Sequence, residues 1–460
     1  MFQAEVYIQR RKILCEKIGT GLILFFGNDE SPMNYSDNTY HFRQHSSFLY
    51  YFGIDFPSLA AIIDVDNDRQ IIFGDDYTID DIVWRGPQPT ISERAYQSGI
   101  TETQPSVKLF TILKEAQASR KVIHFLPPYR PENKIKLLRY LNIRPDEVNA
   151  NSSSELVKAV ISQREIKSIE EIEEIEKAVD LSVDMHITAM KIARPGMTEA
   201  QVAAKVHEVV LAQDCNLSFP IIATVNGQTL HNHSHQNLLK EGDLFLLDAG
   251  AETQMHYAGD LSSTFPVSKQ FTEIQKQFYE VSLKAHETAI AAIAPGISFK
   301  EVHWAACLSI ASSMKEIGLM KGNVEEAVAE GAHALFFPCG TGHMMGLDVH
   351  DMEDLGEVWV GYNGEPKSTQ FGLKSLRLGK KLLPGHVFTI EPGIYFIPEL
   401  IDLWRSDGKL DNFLNWNEIE KFRNFGGIRN EENFLITDTG FKVLGKPKPK
   451  TISDVETFRG

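Results

Sequence analysis

Two short patterns each occur twice, in the same order, along the later part of the chain. Pro195-Gly196-Met197-Thr198 with Val202 is echoed by Pro295-Gly296-Ile297-Ser298 with Val302. GDLFLLDAG, ending at Asp248-Ala249-Gly250, is echoed by GHVFTIEPG, ending at Glu391-Pro392-Gly393. In the first pair a Thr or Ser follows a Pro-Gly stop, where it can cap the helix that comes next. In the second, a glycine turn leads into an apolar strand that ends in a carboxylate. One echo could arise by chance; two in one order imply a duplicated pair of half-domains. Facing halves would bring Asp248 and Glu391 together in the middle.

The earlier part has a different texture. Residues 21–26 (GLILFF) predict a buried strand ended by Gly27-Asn28. Ala60–Val65 and Gln70–Phe73 predict a hairpin around Asp66-Asn67-Asp68, and Lys121–Leu126 another strand stopped by Pro127-Pro128. From Glu165, Ile166, Ile169, Ile172, Ile175 and Val179 recur at helical spacing among Glu and Lys. That predicts one long amphipathic helix running to Pro195-Gly196. A chain of 460 residues exceeds what one core usually serves. We therefore expect an α+β protein of two domains, a smaller α/β domain over 1–163 and a duplicated domain over 164–460.

Charge and cysteine usage narrow the class. Asp plus Glu number 62 against 46 Lys plus Arg, a formal charge of −16, which disfavours a nucleic-acid surface or a polybasic membrane contact. No apolar run reaches membrane-spanning length, and the first residues lack signal-peptide features. A cytoplasmic location is the expectation. Cys15, Cys215, Cys307 and Cys339 form no CxxC pair, so neither a disulfide framework nor a structural zinc site is expected.

Acidic residues stand where strands should be: Asp248, Asp260 in HYAGDLSSTFP, Glu391, and Glu431 in GGIRNEENFLIT. A buried carboxylate is costly unless it is paired or bound to a cation, and four together would repel. Divalent metal removes that conflict. His343, in CGTGHMMGLDVHD, would add one nitrogen donor. An oxygen-rich set with one imidazole suits Mn²⁺, Co²⁺, Fe²⁺ or Zn²⁺. Carboxylates shared between two ions typically hold them about 3.5–4 Å apart. His350, beyond one helical turn from His343, is placed to stabilise developing negative charge. LHNHSH (His231, His233, His235) reads as a substrate-facing or solvent loop carrying one functional histidine.

FLLDAGAE, YAGDLSSTFP, GTGHMMGLDVHD, FTIEPGIYF and GGIRNEEN, in that order, resemble the pita-bread metallopeptidases, the family of aminopeptidase P, prolidase and methionine aminopeptidase. FRQHSSFLYYFGIDFPSLAAIIDVD resembles the extra amino-terminal domain of aminopeptidase P and prolidase. The resemblance implies a dinuclear hydrolase that cuts the bond before proline, either in Xaa-Pro dipeptides, as prolidase does, or after the amino-terminal residue of longer Xaa-Pro peptides, as aminopeptidase P does. Asp248 would chelate one ion, His343 and Glu391 the other, and Asp260 and Glu431 would bridge them. Glu391 would also accept the proton of the attacking water, while His231 and His350 contact substrate. Arg429 would orient an aspartate ligand, Tyr395 would bind close to substrate, and Arg377 would take the terminal carboxylate of a dipeptide. Two Mn²⁺ ions and a homodimer are the family expectation.

Three departures from the family pattern stand out. Cys339 replaces a histidine, Asn430 an apolar residue and Asn433 an acidic one. Two other readings are weighed, a creatinase-like hydrolase and a silent binding module, and the complete ligand set argues against both.

Overall fold

The computed structural model describes residues 1–460 and divides into two compact units. The first comprises Met1–Arg164 with Met352–Gly356, the second Glu165–Asp351 with Glu357–Gly460. No helix is long and apolar enough to cross a membrane.

In the first unit the expected hairpin forms between strands Ala60–Asp64 and Arg69–Phe73, Ala60 opposite Phe73 and Asp64 opposite Arg69. Asp68, at φ 48°, supplies the left-handed turn residue that the Asp-Asn-Asp run suggests. The GLILFF strand, Leu22–Phe26, pairs antiparallel with Ala60–Asp64 and parallel with Ile123–Phe125. A short strand at Thr103–Gln104 completes a five-stranded sheet. One face of this sheet packs on helices Lys108–Ala118 and Pro131–Leu141 through Leu109, Leu113, Leu137 and Leu141.

The second unit shows the duplication in its hydrogen bonds. Helices Glu199–Leu211 and Phe299–Glu316 are each opened by a capping box, Thr198 with Gln201 and Ser298 with Glu301. Gly196 N donates to Leu239 O, and Gly296 N donates to Leu382 O. Isolated bridges Thr198–Leu238 and Ser298–Lys381 repeat the same lacing. Each helix packs on a longer partner, Ile169–Ile192 in one half and Glu273–Ala291 in the other. Each half also holds a three-stranded sheet. One is ordered Leu261–Pro266, Leu244–Ala249, Ile222–Thr224; the other Val387–Ile390, Glu432–Ile436, Phe441–Val443.

The long helix is shorter at its start than the isoleucine pattern suggests. Ser168 caps it with Glu171, leaving Ile166 outside and Ile169 largely exposed in the first turn. A first turn needs a capping polar residue, and Ser168 supplies one three positions after the pattern starts. Burial begins in earnest at Ile175 and continues through Val179, Val183, Met185 and Met190.

Candidate metal centre

Every carboxylate singled out above lies at or next to the end of a strand. Asp248 is the fifth residue of Leu244–Ala249, a strand hydrogen-bonded on both sides, with Ser262 and Ile222 opposite it. Asp260 immediately precedes Leu261–Pro266, and Glu391 immediately follows Val387–Ile390. Glu431 sits between Gly427–Arg429 and Glu432–Ile436. His343 lies in the loop beside the second sheet, where its N–H donates to Thr389 Oγ1 and its carbonyl accepts from Thr389 N. Gly342 permits that approach, because a Cβ there would stand 2.0 Å from Thr389 O.

These side chains converge. His343 Nε2 is 3.2 Å from Asp260 Oδ2 and 3.6 Å from Glu391 Oε1. Donor atoms of Asp260, His343 and Glu431 all lie within 4.8 Å of one another. Asp248, Asp260, His343, Glu391 and Glu431 all line one cavity of about 250 Å³, with Phe219, Pro220 and Val349 on its apolar side. Burial, then the neighbouring carboxylates, raises Asp260 and Glu431 well above the usual carboxylate range. Glu391 is raised for the same reasons. Asp248 Oδ1 and Glu431 Oε1 are buried without any hydrogen-bond partner. Repelling acids with orphaned oxygens are what a cation site looks like from the protein side, and the donor set fits divalent metal.

The remaining oxygens are held by a network. Arg429 donates from Nη2 to Asp248 Oδ2 at 2.6 Å, from Nε to Ser262 Oγ at 2.8 Å and from Nη1 to Tyr395 Oη at 2.9 Å. Ser262 Oγ passes its own hydrogen to Glu431 Oε2 at 3.0 Å. One guanidinium thus braces ligands from both halves. The strand's two-residue period explains the rest of the LSSTF segment. Ser262 and Thr264 face Arg429, and Ser263 faces His186 and Lys448 on the opposite side. Ser262, Thr264 and Thr389 were missed by sequence reasoning; polar residues inside an otherwise apolar strand were the available signal.

The surrounding residues distribute unequally. His231, His233 and His350 line the cavity, whereas His235 Nε2 is tied to Ile221 O at 3.0 Å. The His350 ring lies 4.0 Å from that of His343, centroid to centroid. Arg377 lines an adjoining space of about 340 Å³ together with Cys339, His350, Glu391 and Arg429. Tyr395 is wholly buried, lines neither space, and accepts from Arg429 Nη1 at 2.9 Å. Burial pushes the Cys339 thiol up to about 12, keeping it protonated. Asn433 accepts from Asp260 N and donates to Asp260 O, a pairing that needs both ends of an amide.

Comparison with known proteins bears directly on this centre. The model of metallopeptidase family M24 matches residues 173–438, and that of the aminopeptidase P amino-terminal domain matches residues 7–124. The chain belongs to metallopeptidase family M24. Rat Xaa-Pro dipeptidase is 28% identical to it, over 98% of this chain and 92% of its own length. A probable Xaa-Pro aminopeptidase of Uncinocarpus reesii is 27% identical, over 95% of this chain and 90% of its own. Among solved structures, zinc-substituted Escherichia coli aminopeptidase P in complex with product superposes with a TM-score of 0.82 at 26% identity, covering 100% of this chain and 98% of that one. The M24 fold is therefore the duplicated α/β catalytic unit described above, preceded by an aminopeptidase P-type domain, and the enzyme is a metallopeptidase that binds divalent metal.

Proposed function

We propose that this enzyme hydrolyses the peptide bond on the amino side of proline, with Xaa-Pro dipeptides as its preferred substrates. The supporting observation is the orphaned pair Asp248 Oδ1 and Glu431 Oε1 within a single cavity that also holds Asp260, His343 and Glu391. Asp248, Asp260, His343, Glu391 and Glu431 would hold two divalent ions, Mn²⁺ by preference. When bound, these ions supply Lewis-acid polarisation and water of lowered pKa.

The chain's own groups do the rest. Glu391, at the cavity wall, accepts the proton of the attacking water and delivers it to the departing prolyl nitrogen. His350 and His231, lining the same space, donate to the carbonyl oxygen as charge develops. The prolyl nitrogen offers no N–H, and the apolar face of Phe219, Pro220 and Val349 suits a ring that asks for no hydrogen bond. Arg377, across the adjoining space, takes the free carboxylate of a dipeptide as a two-pronged partner. That residue favours dipeptidase over aminopeptidase activity. The working form is a homodimer, and four unpaired cysteines suit a reducing, cytoplasmic compartment.

The test is direct. Mn²⁺-loaded protein is offered a Xaa-Pro dipeptide and a Xaa-Pro-Xaa tripeptide, with Asp260→Ala as control. Cleavage of the dipeptide, weakened chiefly in KM by Arg377→Ala, is expected. Preference for the tripeptide would assign aminopeptidase activity instead, and no cleavage of either by metal-loaded protein would overturn the reading.

A further inference from the structure

A second set of metal-binding side chains lies apart from the carboxylate centre. His303 and Cys307 stand four residues apart on helix Phe299–Glu316, so both side chains leave the same face. Cys307 Sγ is 3.4 Å from His303 Nε2. His333, from the 3₁₀ turn Ala332–Leu335, closes on them, and donor atoms of all three lie within 4.8 Å of one another. Their exposures are 2%, 1% and 4%. His333 Nδ1 is buried with no hydrogen-bond partner.

We propose that His303, Cys307 and His333 form a binding site for a single zinc ion, distinct from the carboxylate centre. The donor chemistry selects the metal. Two imidazoles and a thiol, with no carboxylate in the set, suit a thiophilic d¹⁰ cation and not Mg²⁺, Ca²⁺ or Mn²⁺. Zinc–nitrogen bonds of about 2.0–2.1 Å and a zinc–sulfur bond of about 2.3 Å put tetrahedral donors roughly 3.3–3.7 Å apart. The His303–Cys307 pair already meets that spacing. His303 has the orienting partner such ligands require: its Nδ1 is 2.7 Å from Thr341 Oγ1, which leaves Nε2 for the ion. Burial lowers the pKa values of His303 and His333 to about 3 and about 4, so both rings are neutral and ready to coordinate near pH 7. The same burial keeps Cys307 a thiol in the apo protein. Coordination therefore releases one proton from its sulfur to solvent as the zinc–sulfur bond forms. A fourth, non-protein donor completes the tetrahedron.

The site has a consequence for catalysis through Thr341, whose backbone carbonyl accepts from Glu391 N at 2.7 Å. An ion fixing His303 would thereby stiffen the 339–343 loop that carries His343.

Cobalt(II) is the probe, because a thiolate ligand gives it an intense near-ultraviolet charge-transfer band that carboxylate and imidazole ligands do not. Full-length protein stripped of metal and titrated with Co²⁺ should develop that band. It should persist in Asp260→Ala, disappear in Cys307→Ser and be bleached by Zn²⁺. His333→Ala should weaken cobalt affinity at least tenfold. Absence of the band in folded wild-type protein, which needs no variant to read, would overturn the proposal. So would a band that survives Cys307→Ser.

Discussion

Arg429 is wholly enclosed and joins Asp248, Ser262 and Tyr395. Removing it leaves a buried carboxylate without its strongest partner and lets Ser262 drift from Glu431. Loss of such an orienting partner costs about 10–100-fold in metal affinity or activity. Arg429→Ala should lower kcat/KM on a Xaa-Pro dipeptide by that factor, and isothermal titration should show weaker Mn²⁺ binding. Arg429→Lys should rescue little, since an ammonium cannot reach three acceptors in a planar fork. Tyr395→Phe separates the two roles discussed for Tyr395. A residue that supports Arg429 should lower kcat with KM little changed, whereas a substrate contact would raise KM. The carboxylates predict a pH effect in the metal-free protein. Asp260, Glu391 and Glu431 have folded pKa values raised above their unfolded values. The folded apo protein therefore binds protons more tightly than the unfolded chain. The associated stability is full below the ordinary carboxylate range, about pH 4, and is lost as pH rises through the raised values. Against the opposite contribution of buried neutral histidines, apo protein should gain less thermal midpoint between pH 5 and 7 than Mn²⁺-loaded protein, whose carboxylates are committed. Parallel apo and Mn²⁺-loaded profiles would show that the acids do not share a proton-trapping site.

At the scale of elements, the duplication was legible because capping residues and glycine turns are local chemistry. Thr198 and Ser298, Gly242 and Gly385 can be read without knowing what packs where. The same holds for the four acids, because a carboxylate closing an apolar strand is anomalous wherever that strand goes. Connections between distant segments were not legible. Glu199 is the clearest case, since it opens a helix and reads as an ordinary first-turn acid. Its side chain is buried, with Oε1 accepting from Val225 N at 2.8 Å and Oε2 from Asn237 N at 3.0 Å. It thus clamps both ends of the 225–237 loop that carries His231 and His233. Glu199→Ala should free that loop without touching a metal-site residue. Misplacement by about 1 Å can cost on the order of 100-fold in rate. We expect kcat/KM to fall at least tenfold while bound Mn²⁺ stays unchanged by elemental analysis. Equal loss of metal would assign Glu199 a role in the centre itself.

On the scale of the molecule, sequence patterning said nothing about which polar groups each core would enclose. A histidine in a helix pattern is silent about burial until its tertiary partners are known. In the catalytic unit His186 is enclosed between Ser263 Oγ and Ala249 O, and His386 accepts from Leu383 N. Burial holds both pKa values at about 3, against an ordinary value near 6.5. Folded values depressed below unfolded ones give a sign opposite to that of the apo carboxylates. The stability is present above the unfolded pKa and is lost as pH falls toward the folded value. Between about pH 6 and 4 the unfolded rings are charged while the native ones stay neutral, so unfolding takes up about two protons from this pair. Each proton is worth about 1.4 kcal/mol per pH unit. In metal-loaded protein, whose carboxylates are committed, this pair alone should therefore remove roughly 3 kcal/mol per pH unit on acidification through this window. His186→Gln replaces the ring with a neutral amide and should reduce the proton uptake by about one. Urea unfolding of wild type and variant at pH 6, 5.5 and 5, followed by tryptophan fluorescence, measures both slopes. If the two chains acidify in parallel, His186 is not the neutral, enclosed imidazole that its two hydrogen bonds describe.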